Sequence, residues 1–259
     1  MNDVLFLGND KREFDLNKVF PPILPGNIYV AFTGGVESSL LLYLLLERYP
    51  NRNIIPCTWK FGDRRLNEYA HAQSMCAHLG IFDKHILAGY RKSSVQIVKH
   101  PTEPIPYFNK ENKVFDIVRQ QDPDFVVGFT GKNTTLLDPE KITPEEQHKY
   151  LQWYDVHRPF LFLDKHHVID LYYQVGAEDL LPFTHTCIVA IEDKLVPTDN
   201  IVGMKDIHCG KCDACVERLD AFDRNGIKDP AIYDGEYEFL VKRARRIYDR
   251  AGKTSTHLL

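Results

Sequence analysis

Five short runs in this chain are nearly continuous in apolar residues: IYVAF (28–32), NIIPCTW (53–59), KHILAG (84–89), DFVVGF (124–129) and PFLFL (159–163). A strand with one wet face alternates apolar and polar residues, whereas a strand covered on both faces does not. Between the runs lie longer patterns with helical spacing, over 38–49, 65–79, 112–121 and 164–175. Strands that alternate with helices of this length are joined by right-handed crossovers, which predicts an α/β fold built on a doubly wound parallel sheet. With 259 residues, 44% of them hydrophobic, the chain can bury one large core of that kind.

Two stretches break the rhythm. Residues 91–110 contain three prolines and no period, and are expected to form an extended loop over the ligand crevice. Residues 130–158 are irregular as well. Several helix ends are legible: Gly80 follows AQSMCAHL, and Asp164 precedes KHHVIDLYYQV, which Gly176 stops. A net charge of -4 gives no electrostatic case for a nucleic-acid-coating protein. The amino terminus lacks the pattern of a signal peptide, and SLLLYLLL is too short to span a bilayer, so the expected location is cytoplasmic.

The segment TGGVESS (33–39) lies between the first strand and the helix that follows it. This is where a doubly wound sheet binds phosphates. Gly34 and Gly35 let backbone amides approach anionic oxygens, Thr33, Ser38 and Ser39 add hydroxyls, and the helix N-terminus adds about half a positive charge. The spacing is neither that of a Walker A loop nor that of a dinucleotide fingerprint. An ordinary strand–turn–helix junction is the competing reading of the same residues.

The chain has six cysteines. Cys57 and Cys76 sit in apolar surroundings, while Cys187, Cys209, Cys212 and Cys215 gather toward the carboxyl end. Cys209-x2-Cys212-x2-Cys215 plus Cys187 suits a closed tetrahedral Zn²⁺ site, with an iron–sulfur cluster as the alternative for the same ligands. His185 and His208 flank two of the cysteines and are read as non-ligands. The helix at 213–226 and a last helix at about 236–251 follow, the latter with a basic face of Lys242, Arg243, Arg245, Arg246 and Arg250 that reads as solvated.

TGGVESS resembles the SGGxDS loop of the PP-loop ATP pyrophosphatases, with Thr33 in place of Ser and Glu37 in place of Asp. LPFTHTCI and HCGKCDACVERLDAFDRNGIKDP resemble the zinc region of the 7-cyano-7-deazaguanine synthase (QueC) family. The likeness extends back through CTWKFGDRRLNEYAHAQSMCAHLGI, where Gly62, Arg64 and Glu68 fall on matching positions. DFVVGFTGKNTTLLDPE matches with Asp138, and RPFLFLDKHHVIDLYYQVG with the penultimate strand and helix. Roughly residues 28 to 232 are covered.

The resemblance implies a synthase that makes a nitrile from 7-carboxy-7-deazaguanine, ammonia and ATP. It implies ATP and Mg²⁺ at 33–39 with Val36 and Glu37 included, structural Zn²⁺ on the four cysteines, and a homodimer, with no membrane or nucleic-acid partner. Glu37, Arg64 and Lys132 become catalytic candidates, and Asp138 a partner for the substrate base. Bland readings stand beside these: Arg64 paired with Glu68, Lys132 as a surface lysine, and Asp138 as an Asp-Pro turn. The expected division is an N-terminal extension (1–27), a nucleotide-binding α/β domain (28–180) and a zinc-binding helical region (181–259) packed on it. The chain departs from the family at Lys60, which replaces an aspartate, and at Pro104–Lys110, which lacks an arginine of a family motif. Two other readings are a different PP-loop enzyme, forming an amide or modifying tRNA, and a nucleotide-binding module without turnover.

Overall fold

The computed structural model describes residues 3–20, 22–23, 25–59, 66–91, 94–98, 122–131, 152–153, 156–188, 195–197 and 204–250. Its centre is a seven-stranded sheet. In chain order the strands are β3 (Asn27–Ala31), β4 (Asn53–Trp59), β5 (Ile86–Arg91), β6 (Ser94–Val98), β7 (Phe125–Thr130), β8 (Gln152–Trp153) and β9 (Val156–His157). Their spatial order is β6-β5-β4-β3-β7-β9-β8. The inner five are parallel, and β6 and β8 close the two edges as antiparallel partners of β5 and β9. The parallel strands therefore run 3-2-1-4-5, the order of a doubly wound fold, with its switch point between β3 and β7.

Helix α2 (Val36–Arg48) links β3 to β4, and α3 (Leu66–His78) links β4 to β5. Leu40, Leu41, Leu44 and Leu45 of α2 are buried against the sheet residues Ile28 and Val30. Helix α4 (Lys165–Gln174) follows β9 and packs on α2, and α5 (Asp213–Arg224) packs on α4. Tyr172 of α4 donates its hydroxyl to the Val36 carbonyl (2.6 Å), so α4 is registered on the first turn of α2. Helix α6 (Tyr237–Arg250) lays Leu240, Val241, Ala244 and Tyr248 on Val216 and Leu219 of α5. Arg245, on its basic face, pairs with Asp223.

The first residues form a hairpin, β1 (Val4–Leu7) with β2 (Arg12–Asp15), and a single turn of helix, α1 (Leu16–Val19). Leu7, Phe14 and Phe20 join the main core, and the Phe20 ring stacks on Phe129 of β7. A second small sheet, β10 (Leu195–Pro197), β11 (Met204–His208) and β12 (Ile232–Tyr233), accompanies the cysteine region.

Two expectations from sequence are corrected. PFLFL (159–163) is not a strand. Leu161 N–H bonds to Arg158 O and Leu163 N–H to Phe160 O, making tight turns. Pro159 has no N–H for a ladder, so pairing stops at His157 and the apolar side chains fill the core from turns. Within the expected loop 91–110, residues 94–98 form β6, in register with β5 from Leu87↔Val98 to Arg91↔Ser94. The prolines that argued for a loop all lie beyond Val98. The helix expected at 112–121 lies outside the described residues.

Phe20→Ala is expected to cost about 3–5 kcal/mol, as for a fully buried aromatic, in urea denaturation. A loss under about 1 kcal/mol would show that the amino-terminal segment is not part of the core. Acid stability provides a second check. Burial pushes the pKa of His85 down to about 4, and its Nε2 lies 2.7 Å from Thr58 Oγ1, which in turn donates to the Phe32 carbonyl (2.7 Å). The unfolded chain takes up that proton first, so stability should fall as pH drops from about 6.5 to about 4, by up to about 3 kcal/mol from this group. Denaturation curves across that window read the slope, which should flatten in His85→Asn.

Candidate nucleotide and metal site

The loop 33–39 leaves the end of β3 and enters α2 with Gly35 as the residue before the first turn. Gly34 adopts φ +74°, open to glycine at little cost, and a Cβ there would lie 3.0 Å from the backbone of His71 and Ala72 in α3. Thr33 N–H donates to Ser38 Oγ (3.3 Å), Gly35 N–H to Thr33 Oγ1 (3.3 Å), and Ser38 Oγ to the Gly35 carbonyl (3.3 Å). The loop is thus held by its own hydroxyls. No side chain caps α2 among the described residues, and the fully buried Ser39 Oγ has no hydrogen-bond partner there. An uncapped helix start with hydroxyls around it suits the oxygens of a phosphate.

Three other segments close on this loop. Gly131, just past β7, sits where a Cβ would fall 2.9 Å from Glu37 C and O. His185 donates its backbone N–H to the Gly34 carbonyl (2.8 Å), and its ring stacks flat on His71, with centroids 4.0 Å apart. Lys165, the first residue of α4, places Nζ 3.0 Å from Glu37 Oε1 and 2.7 Å from Glu217 Oε2 of α5. Only 5% of the lysine side chain is exposed. Burial works against its charge, but the two carboxylates outweigh that and hold its pKa above the usual lysine value.

Cys187, Cys209, Cys212 and Cys215 bring their four Sγ atoms within 4.8 Å of one another. Cys209 and Cys215 are 3.9 Å apart, far longer than a disulfide and close to the ~3.8 Å edge of a tetrahedron with ~2.3 Å metal–sulfur bonds. The backbone N–H groups of Lys211 and Cys212 point at Cys209 Sγ (3.4 and 3.3 Å), and that of Cys209 at Cys187 Sγ (3.4 Å), as thiolates accept. Cys212 is the N-cap of α5, and thiol hydrogen bonds from Cys187 and Cys215 lower its pKa. The four residues fit a metal. Cys57 and Cys76 are buried, and burial pushes both thiols up.

A fully buried arginine anchors this region. Arg218 of α5 binds Asp229 through Nε (2.6 Å) and Nη2 (2.8 Å), and reaches Thr184 Oγ1 (2.7 Å) and Thr186 Oγ1 (3.3 Å) through Nη1. Asp229 also accepts the Tyr233 hydroxyl (2.6 Å). The two threonines flank His185, which contacts the loop 33–39, and Thr186 adjoins Cys187, so one guanidinium fixes the path from that loop to the cysteine cluster.

Asp10, His166 and His167 also cluster within 4.8 Å. His167 is already committed: its Nδ1 accepts the Asp164 N–H (3.1 Å), so its Nε2–H donates to Asp10 (2.8 Å). This group is a helix cap and carries no metal argument.

Of the residues singled out from sequence, the structure brings Thr33–Ser39 to the switch point and gathers the four cysteines. Arg64, Lys132, Asp138, Lys60, Gly62 and Pro104–Lys110 lie outside the described residues, as does the side chain of Glu68. Sequence reasoning missed Lys165, Glu217, Gly131 and Arg218. A lysine just after a capping aspartate reads as solvated, and nothing local marks it as buried between two acids.

The family model of the queuosine biosynthesis protein QueC matches residues 142–226. The chain is 23% identical over 250 residues to a 7-cyano-7-deazaguanine synthase of Hahella chejuensis, covering 85% of this chain and 98% of that one. It is 22% identical over 233 residues to the synthase of Marinobacter nauticus, covering 80% and 97%. The chain is thus similar to 7-cyano-7-deazaguanine synthases over most of its length, at low identity. A solved U34-tRNA thiolase from Methanococcus maripaludis is more distant, at 12% identity and a TM-score of 0.38 over 90% of this chain and 76% of that one. No helix among the described residues is long and apolar enough to cross a membrane.

Cys215→Ser is expected to lose the bound metal, measured by elemental analysis of the purified protein, and to lower the melting temperature with it. Full metal content in that variant would show that Cys215 is not a ligand.

Proposed function

We propose that the chain is an ATP-dependent, C–N bond-forming synthase of the QueC type. Its acid substrate is 7-carboxy-7-deazaguanine or a close relative, and its product is 7-cyano-7-deazaguanine, with release of AMP and pyrophosphate. One observation carries the reading: an uncapped helix N-terminus, ringed by hydroxyls and flanked by a buried lysine, opens at the switch point of the sheet.

A carboxylate resists ammonia because oxide is a poor leaving group. Adenylation makes AMP the leaving group, ammonia displaces it to give an amide, and a second adenylation on the amide oxygen allows loss of AMP to the nitrile. Chemistry of this kind needs positioning and electrostatic stabilisation of phosphate oxygens rather than a nucleophile from the protein. The amides and hydroxyls of Thr33, Gly34, Gly35, Ser38 and Ser39 hold the phosphates. Lys165 offsets the charge that develops on them, and Arg64 and Lys132 are assigned the same role. Glu37 is the carboxylate that would hold Mg²⁺, and the ion would offset negative charge on the triphosphate. Asp138 is assigned the donor edge of the base. Zn²⁺ on the four cysteines is structural, because four thiolates leave no open position.

The test is incubation with ATP, Mg²⁺, an ammonium salt and 7-carboxy-7-deazaguanine, following the base by mass spectrometry while AMP is counted. Nitrile with AMP is expected. Amide alone would mark a synthase that stops halfway. No AMP above a Glu37→Ala control, in folded metal-loaded protein, would overturn catalysis on this acid.

A further inference from the structure

We propose that Glu217 is a positioning residue for Lys165, and that through it the helix capped by Cys212 of the cysteine cluster sets the affinity of the nucleotide loop. The proposal rests on the nucleotide reading given above.

Lys165 Nζ has two carboxylates within 3.0 Å, and they belong to different structural units. Glu37 lies in the first turn of α2, in the loop itself. Glu217 lies on α5, whose N-cap is Cys212 and whose first turn holds Cys215. An ammonium carries three N–H donors on a flexible stem, so it can serve two acceptors and still turn toward a third.

The two acids are not equivalent once an anion arrives. A triphosphate at the start of α2 competes with Glu37 for the same ammonium and leaves that carboxylate free for a cation. Glu217 stands outside the loop, and its contact need not break. It therefore holds Nζ at the loop before and after binding. Without it, the lysine has Glu37 as its one carboxylate partner among the described residues. Nucleotide binding must then dismantle that pair, and the freed ammonium is no longer held in place. The coupling runs onward, because the segment from His185 to Cys187 touches both Gly34 and the cysteine cluster.

A merely structural role predicts something different. If Glu217 only braces α5 against α4, its loss lowers stability and the folded fraction, and the folded molecules keep their nucleotide affinity.

The experiment measures the Kd of Mg²⁺·α,β-methylene-ATP by calorimetry on metal-loaded protein, alongside KM and kcat for AMP formation. Glu217→Gln is expected to weaken Kd and raise KM for ATP about tenfold, as for loss of one charge-assisted contact, with metal content unchanged. Glu217→Asp keeps the charge on a shorter arm and is expected to fall between the two. Wild-type Kd and KM in Glu217→Gln overturn the proposal, even if kcat falls. Should the amide variant not fold, unchanged Kd in Glu217→Asp does the same. Failure of the wild-type protein to bind the analogue would instead remove the nucleotide reading, and this proposal with it.

Discussion

β3 and β7 are neighbours in the sheet, yet the chain leaves one toward β4 and the other toward β9. Their exits diverge, and the gap between them is the place along a parallel sheet where a crevice opens without breaking a ladder. The start of α2 lies in that gap, with the Gly131 backbone against it from the β7 side. Everything else about the site follows from this divergence. A side chain at position 131 would push on Glu37, so the two strand ends can approach only as bare backbone.

Two buried cations then join parts of the chain that the sheet alone would leave independent. Lys165 ties α4 to α2 and α5. Arg218 ties α5 to the segment 181–186 and to Asp229. Removing a charge from water costs several kcal/mol, and it is tolerated only where partners and hydrogen bonds replace the lost hydration. Both cations meet that condition, with acids at 2.6–3.0 Å. Such contacts demand tight geometry, which makes the cysteine region an extension of the α/β sheet domain rather than an appendage. Apolar packing joins the same parts, since residues from the amino-terminal hairpin and from α5 enter one core cluster.

Much of the fold was legible because the strands are short, apolar and well punctuated. IYVAF, NIIPCTW and DFVVGF became β3, β4 and β7 within a residue or two, and the capped run after Asp164 became α4. PFLFL misled because apolar content marks burial, not backbone shape, and a proline at its head had already removed a ladder donor. SVQIV (94–98) was hidden by prolines that follow it. The site was legible in proportion to how local its chemistry is. A glycine-and-hydroxyl loop between strand and helix, and a cysteine triplet at x2 spacing, carry their meaning in a few consecutive residues.

The sequence by itself determined the alternation of strand and helix, the glycine-and-hydroxyl loop at its first junction and the triplet Cys209, Cys212 and Cys215, because each depends on neighbours within a turn or two. Only the tertiary structure decided that Lys165 is buried between Glu37 and Glu217, that Gly131 backs the loop, and that Arg218 links the loop's neighbour to the cysteine cluster. Those contacts join residues 52 and 128 positions apart at Lys165, 94 apart at Gly131 and 11 to 37 apart at Arg218. Their partners are set by strand order and helix packing, which place distant charges together in low dielectric, and no local pattern records that.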